Sequence, residues 1–190
     1  MDYQLEIQEE ISRIVDKQLQ VSADDGLNFI GPKDVDITMQ RHVRDTDTGE
    51  ISLTWIPIPT QIGEQDLDKL ELELGCSLPI SYRFFLQYKF FLALYIEQLN
   101  IYNHTPTHWQ HEIISRAKHG YPRKFLIDKG YLPFADYSDW GHLCFDITQT
   151  RSGNEYPIVL WDHDSPEAVT PMADNFIEML RQLAVADEKN

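Results

Sequence analysis

The sequence predicts an α+β fold in which an antiparallel sheet of short strands packs against helices. Three observations support this prediction. Apolar residues recur every three or four positions near both ends of the chain, which is the spacing of an amphipathic helix. Short apolar runs separated by turn residues fill the stretch 131–161, which is typical of strands. The 190 residues, 42% of them hydrophobic and 12% aromatic, are enough for one domain with a buried core.

Helices are predicted at the two ends of the chain. Apolar residues recur at helical spacing over residues 2–20, and Gly26 lies in the turn that follows. The same spacing runs from Ala173 to Ala184, after Pro171, and predicts the closing helix.

A β-hairpin is predicted after the first helix. Apolar and polar residues alternate over residues 35–39 and again over residues 51–55, with the polar loop 45–49 between them. Pro57 and Pro59 then end the second strand.

The middle of the chain predicts three further helices. Residues 64–74 carry leucines at helical spacing, and Gly75 is placed to end that helix in a left-handed conformation. Residues 80–102 are apolar and aromatic nearly all round, which predicts a long central helix. Residues 109–117 continue the pattern before a glycine.

The final third changes to strands. Residues 131–134, 142–148 and 156–161 are short runs rich in aromatic and branched side chains, separated by turn residues, and they predict an antiparallel meander.

The charge is strongly negative and uneven. The formal net charge is −15 and the isoelectric point is near 4.7, which disfavours nucleic acid and anionic membrane surfaces as partners. Residues 1–60 carry 12 acids and 5 bases, residues 131–190 carry 11 and 3, and only residues 101–130 are basic overall. Many of the C-terminal acids fall between predicted strands, where binding surfaces are commonly built. The alternative interpretation is a charged surface that serves solubility alone.

The cysteine count and the N-terminus predict a soluble, cytoplasmic protein. Cys76 and Cys144 are far apart in apolar surroundings and are expected to be reduced. Residues 1–10 are acidic where a signal peptide needs a basic segment followed by an apolar one. The longest uncharged apolar stretch, residues 90–96, is far short of a membrane span.

Two groups of residues are candidates for a metal site. Three histidines are spaced by four and three residues, as on one helical face: His104, His108 and His111. No glutamate lies in the zinc-protease position between them, and solvent-facing or capping roles explain them as well. The loop 162–164 with Asp146 and His142 is the second group, and a polar loop after a buried strand explains it equally. Neither group supports a firm metal assignment, and no cofactor is predicted.

Catalytic motifs are missing from the sequence, and one aromatic residue indicates binding. The chain has no nucleophile elbow, no phosphate-binding loop and no dinucleotide-binding glycine pattern. Trp140 lies between Asp139 and Gly141 in a predicted turn. An exposed tryptophan ringed by acids is typical of a protein–protein interface.

Several segments resemble a known family. Residues 70–86 (LELELGCSLPISYRFFL) form a helix ending in glycine, a Leu-Pro link and a helix beginning Tyr-x-x-Phe-Leu, which is similar to the opening of a SUKH domain of the Smi/Knr-type superfamily. Four later segments are similar to the strands and closing helix of that family: residues 131–136, 139–146, 157–164 and 175–180. The resemblance covers roughly residues 54–182.

The resemblance implies a domain layout. A SUKH-like domain is expected over residues 54–186, with residues 1–53 as a helix and hairpin extension packed on it. The family has a turn soon after its Phe-Leu position, whereas residues 87–130 are predicted here to be a variant helical segment.

The resemblance also implies a function without catalysis. Bacterial members are mostly immunity proteins that neutralise a cognate polymorphic toxin, often a nuclease, and fungal members are signalling scaffolds. A nuclease presents a cationic surface to phosphate, so an acidic partner is suited to cover that surface. We therefore expect an immunity protein whose partner has a basic surface, and its binding residues are predicted to be Asp136, Asp139, Trp140, Asp162, His163 and Asp164.

Two other functions remain open at this point. A regulatory scaffold of the same fold would use the N-terminal extension as its partner site. A metal-dependent hydrolase would use the histidines between residues 104 and 111 or the loop 162–164.

Overall fold

A computed structural model describes residues 3–28, 35–120 and 122–187. The fold is α+β, as the sequence predicts. The helices are α1 (Tyr3–Asp24), α2 (Glu64–Leu74), α3 (Ile80–Leu86), α4 (Trp109–Ile114) and α5 (Phe176–Asp187). The strands are β1 (Gln40–Arg44), β2 (Ile51–Trp55), β3 (Ile58–Pro59), β4 (Lys89–Phe90), β5 (Leu94–Ile96), β6 (Leu99–Ile101), β7 (Tyr131–Tyr137), β8 (Gly141–Asp146), β9 (Ile158–Asp162) and β10 (Val169–Ala173).

The main sheet has six antiparallel strands in the order β10-β9-β8-β7-β6-β5. The predicted meander over residues 131–161 is confirmed as β7, β8 and β9. The edge strand β10 was not predicted, because Pro171 was placed before the last helix. Proline is tolerated there because an edge strand has one side without ladder hydrogen bonds.

The N-terminal helix is confirmed, although residue 2 lies outside the described part of the chain. α1 contacts α3, α5 and β5, and its apolar stripe belongs to the same core as the sheet. An ion pair between Glu10 and Arg181 joins α1 to α5. Asp16 also accepts hydrogen bonds from Tyr88 at 2.7 Å and Lys89 at 2.6 Å.

The hairpin is confirmed, but its first strand lies later in the chain than predicted. Residues 37–39 form a turn of 3-10 helix, and β1 begins at Gln40 and pairs with β2. The Asp36 carboxylate accepts a hydrogen bond from the Thr38 backbone N–H at 2.9 Å, which favours a turn over an extended strand. Ile37 is 81% exposed, so the alternation that predicted a strand does not reflect burial.

The predicted central helix over residues 80–102 is wrong beyond Leu86. After α3 the chain forms β4, β5 and β6 instead. In β5 and β6 the buried and less buried side chains alternate, and Glu97 takes the left-handed conformation with φ of 54° in the tight turn between them. Apolar runs of this kind fit the period of a helix and that of a strand equally well. Here the pairing of β6 with β7 stabilises the strand conformation. The segment 87–130 is therefore helical only in part.

The helices around this region begin and end largely as predicted. α2 matches the predicted bounds, and Gly75 ends it in the left-handed conformation with φ of 78°. α4 continues as a turn of π-helix over residues 115–119, so the predicted helix before Gly120 is confirmed. Among the described helices none is long and apolar enough to cross a membrane.

The two faces of the main sheet have different surroundings. On one face a large aromatic core lies between the sheet and the helices, with Phe134, Phe145 and Phe176 fully buried. On the other face a small cluster forms around Leu126, Cys144, Val159 and Trp161. Cys76 and Cys144 are both free, and burial raises the pKa of the Cys76 thiol to about 11 and that of Cys144 further.

Candidate functional site: a cleft at one end of the sheet

Three connections meet at one end of the six-stranded sheet. These are the turn between β5 and β6, the turn 138–140 between β7 and β8, and the loop 163–168 after β9. The Ser138 backbone N–H donates to the Gln98 carbonyl at 2.7 Å, and the His163 N–H donates to the Trp140 carbonyl at 3.0 Å, so adjacent connections are joined. The six predicted binding residues all lie at this end of the sheet.

A row of side chains crosses five strands next to these connections. The strand register places each member beside the next: Tyr95, Asn100, Asp136, His142 and Trp161. Because successive side chains in a strand point to opposite faces, the row lies on the face opposite the aromatic core. We call this row the cleft floor.

A cleft of about 710 Å³ opens above the cleft floor. The turns at the sheet end form its rim, contributing Glu97, Gln98, Ser138, Asp139 and His163. This volume is in the range of ordinary ligand sites, and the lining combines aromatic rings with carboxylates. The cleft therefore has the size and chemistry to bind a cationic or hydrogen-bonding group.

Asp136 and His142 form the polar centre of the cleft floor. The His142 Nδ1–H donates to Asp136 Oδ1 at 2.9 Å, and the Tyr102 hydroxyl oxygen lies 3.3 Å from the same nitrogen. The Trp161 ring stacks on the His142 imidazole, with 5.8 Å between ring centroids. These contacts fix the orientation of the imidazole and of the carboxylate.

Arg116 approaches the same carboxylate from the π-helical turn. Its Nη1 lies 3.7 Å from Asp136 Oδ2, and its Nε donates to Glu112 at 2.9 Å. The guanidinium lies over the Tyr102 ring, 4.8 Å from the centroid. Turns of π-helix are frequent at functional sites, and this one brings a cation beside a carboxylate of the cleft floor.

The structure separates the predicted residues into two groups. Asp136, Asp139 and His163 line the cleft. Trp140 projects beside it, 53% exposed, and its ring meets Tyr137 at 6.3 Å between centroids. Asp162 and Asp164 do not line the cleft. They form a turn in which the Asp164 N–H donates to the Asp162 carboxylate at 2.8 Å.

Sequence reasoning missed most of the cleft floor. Tyr95 and Asn100 fall in the segment that was predicted to be helical, and Trp161 ends a predicted strand but is not among the predicted binding residues. The only local signal was the alternation from Leu94 to Ile96 and from Leu99 to Ile101. The pairing of β6 with β7, which aligns the row, is a contact between distant parts of the chain.

Neither candidate metal group is assembled. α4 begins at Trp109, so the three histidines do not share one helical face. His104 is buried, and its Nε2 donates to the Leu86 carbonyl at 2.8 Å. Asp146 lies at the far end of β8 from the loop 162–164, and its carboxylate accepts hydrogen bonds from Thr148 and Gln149. Over residues 3–28, 35–120 and 122–187, no three histidine, cysteine or acidic residues cluster as metal ligands.

Comparison with known proteins finds one protein family, and its match covers the region that carries the cleft. The sequence profile of the SMI1 / KNR4 family (SUKH-1) matches residues 61–182. The match includes the whole cleft floor and leaves α1, β1 and β2 outside. A comparison with curated proteins gives no match.

Proposed function

The chain belongs to the SMI1 / KNR4 family (SUKH-1), and on that premise we propose that it is a non-catalytic immunity protein. It binds a cognate toxin through the acidic end of the six-stranded sheet and prevents that toxin from reaching its substrate. The observation that supports this most is the grouping of acids around one cleft. Glu97, Asp136 and Asp139 line the cleft, and Asp162 and Asp164 lie just outside it, at the end of β9 and in the turn that follows.

The charge of this end suits a basic protein partner. Coulombic attraction between an acidic patch and a cationic surface accelerates encounter by tenfold to a thousandfold at low salt. A nuclease toxin must be cationic where it holds phosphate, so the same surface that binds nucleic acid would attract this protein. Covering that surface is enough to stop the toxin, and no catalytic step is needed.

Trp140 supplies the apolar part of the proposed interface. It stands at the tip of the turn between β7 and β8, with its ring largely exposed and Asp139 directly before it. Large aromatic side chains surrounded by polar groups contribute most of the binding energy in many interfaces. Trp140 and the acids around the cleft thus give both affinity and steering.

Co-expression tests the proposal. The toxin to use is the one encoded immediately beside this chain's gene, expressed alone and together with the protein. The proposal expects growth to be restored by co-expression and the two proteins to be recovered as one complex. A toxin that still kills the cell, with no complex in a pull-down, would show that the proposal is wrong.

A charge reversal tests the surface. Changing Asp162→Lys and Asp164→Lys together is expected to lower the association rate with the toxin about tenfold at low salt. Little effect on stability is expected, because both residues lie in a surface turn beyond the rim of the cleft. The matched control is Asp47→Lys with Glu73→Lys, which changes the net charge equally on other elements. Equal slowing by both pairs would place the interface elsewhere.

A scaffold function is the second candidate, and the β1–β2 hairpin favours it. This hairpin lies outside the family match, and most of its residues are exposed. A two-stranded hairpin gains little stability on its own, so a partner that pairs with it is a reasonable expectation. Replacing residues 41–54 with a short glycine linker separates the candidates. Growth rescue that survives this change supports the immunity function without the hairpin. The scaffold function instead expects no rescue even by the unaltered protein, and a pulled-down partner that is lost when the hairpin is replaced.

A further inference from the structure

We propose that the cleft holds a single arginine side chain presented by the protein partner. Its guanidinium would meet the Asp136 and Asp139 carboxylates, and its plane would lie against the exposed ring of Tyr95 on the cleft floor. This inference rests on the proposed function, because it names the chemical group that the same site recognises. It goes further because the proposed function needs only an acidic surface, whereas this inference assigns a specific pocket to one side chain.

The shape of the cleft suits a side chain. Its volume of about 710 Å³ exceeds what one extended arginine occupies, and the rim turns stand above a floor of side chains. Tyr95 lies at one end of the floor, on β5, and is 42% exposed. Asp136 lies in the middle of the floor and Asp139 on the rim. An arginine entering from the sheet end would therefore pass one carboxylate and reach a second.

Asp136 retains capacity to accept hydrogen bonds. Its Oδ1 accepts from His142 at 2.9 Å, whereas its Oδ2 is 3.7 Å from Arg116, which is beyond hydrogen-bond distance. An ionised carboxylate accepts at about four lone-pair sites, so the existing contacts leave room for a second donor. His142 holds the carboxylate in place, which reduces the entropy lost when a ligand binds.

Arg116 shows that the Asp136 carboxylate, on its side away from the cleft lining, already has a guanidinium beside it. This group lies over the Tyr102 ring and beside Asp136, in contact with both an aromatic face and a carboxylate. A partner arginine would repeat this arrangement on the open side, with Tyr95 in place of Tyr102. Arginine suits this geometry better than lysine because its planar fork both stacks on rings and donates two parallel hydrogen bonds.

The surrounding charges favour a cation over an anion. Glu97 and Asp139 stand on the rim with His163, and Asp162 and Asp164 lie just beyond it. Arg116 is itself engaged by Glu112. An anionic group of the same shape would be repelled by these carboxylates, and a neutral one would lack the charge attraction that favours a guanidinium.

A titration of the full-length protein tests the inference without the toxin. The probe is N-acetyl-arginine amide, followed by nuclear magnetic resonance shifts of backbone and side-chain signals. We expect saturable shifts at Tyr95, Asn100, Asp136, His142 and Trp161 with millimolar affinity. The citrulline analogue, which has the same shape without the charge, should give none, and the lysine analogue should bind at least threefold more weakly. Equal shifts with citrulline, or no shifts in the cleft, would overturn the inference.

Variants separate the cleft from general charge. Asp136→Asn and Tyr95→Ala should each weaken binding of the arginine probe at least threefold, and Glu73→Gln, a matched charge loss on α2, should leave it unchanged. Tyr95 is outside the Asp136 hydrogen bonds, so its variant tests the floor without disturbing His142. Unchanged probe binding in both variants would overturn the inference.

The outcome is independent of the toxin experiment. Growth rescue by the unaltered protein with no probe binding would leave the immunity proposal standing and remove the arginine site. Probe binding in the cleft without rescue would keep the arginine site and remove the immunity proposal.

Discussion

The two faces of the six-stranded sheet are built from the same strands but differ in what covers them. The helix-covered face carries Phe134 and Phe145, stacked at 4.4 Å between centroids and enclosed by Tyr82 and Phe176. The opposite face carries the cleft floor, where Tyr95, Asn100, Asp136 and His142 remain partly accessible and Trp161 is buried in a small cluster of its own. Since side chains alternate, the apolar face fixes the position of the polar one. The open face adds only the small cluster around Trp161 and the contacts around His142.

The largest expected effect is on the helix-covered face. Phe145→Ala removes a fully buried ring that contacts three other aromatic rings, and it should lower the free energy of unfolding by about 3–5 kcal/mol. Denaturant unfolding followed by circular dichroism measures this. A loss below about 1 kcal/mol would contradict the division between the two faces.

The exposed tip should respond in the opposite way. Trp140→Ala is expected to change the free energy of unfolding by less than about 0.5 kcal/mol, because the ring is largely exposed. Its complex with the toxin should weaken by about 30-fold or more, equivalent to about 2 kcal/mol. Calorimetric titration measures the affinity. Unchanged affinity, with rescue intact, would move the hot spot away from this turn.

Some elements of the fold could be predicted because their signals are local. Gly75 ends α2 where the helical spacing stops, and turn residues separate β7, β8 and β9. The stretch 80–102 could not be assigned correctly, because a run that is apolar on all sides lacks the polar face that distinguishes a helix from a strand.

The site followed the same division. Asp139 and Trp140 were predicted because polar residues between strands are accessible wherever the strands pack. The cleft floor depends on the register of five strands, and that register is set by contacts between residues far apart in the chain. Asp162 and Asp164 were grouped with the others, but of residues 162–164 only His163 lines the cleft.

Two histidines extend the comparison to pH. His142 lies on the open face against Asp136, whereas His104 is packed among Phe90, Phe91 and Trp109 on the helix side. Burial lowers the pKa of His104 to about 4, and its Nδ1 has no hydrogen-bond partner. Below pH 6.5 the unfolded chain binds a proton that the folded protein does not, so the free energy of unfolding decreases as the pH is lowered.

The expected loss from His104 is about 2 kcal/mol between pH 6.5 and pH 5. His104→Phe removes the titrating group and should flatten this part of the curve, although losing the hydrogen bond to Leu86 lowers stability at every pH. Denaturant unfolding from pH 7 to pH 5 measures the slope of the free energy of unfolding against pH in the unaltered protein and in the variant. Glu10 and Glu64 titrate below this range, because hydrogen bonds from Arg181 and Arg83 are the chief cause that lowers the pKa values of their carboxyl groups. Equal slopes would show that His104 is accessible to protons in the folded state.

The smallest change in the free energy of unfolding is expected at Asn100, and its neighbour Ile101 on the same strand provides the comparison. Asn100 belongs to the cleft floor and Ile101 to the core, so the same change to threonine tests both faces of β6. Asn100→Thr should alter the free energy of unfolding by less than about 0.5 kcal/mol, since threonine suits a strand and the position is partly accessible. Ile101→Thr should cost about 1–3 kcal/mol, because it puts a hydroxyl into an apolar core. Similar losses in both variants would mean that the open face also contributes to stability, and that the cleft floor is held by packing rather than kept free for a partner.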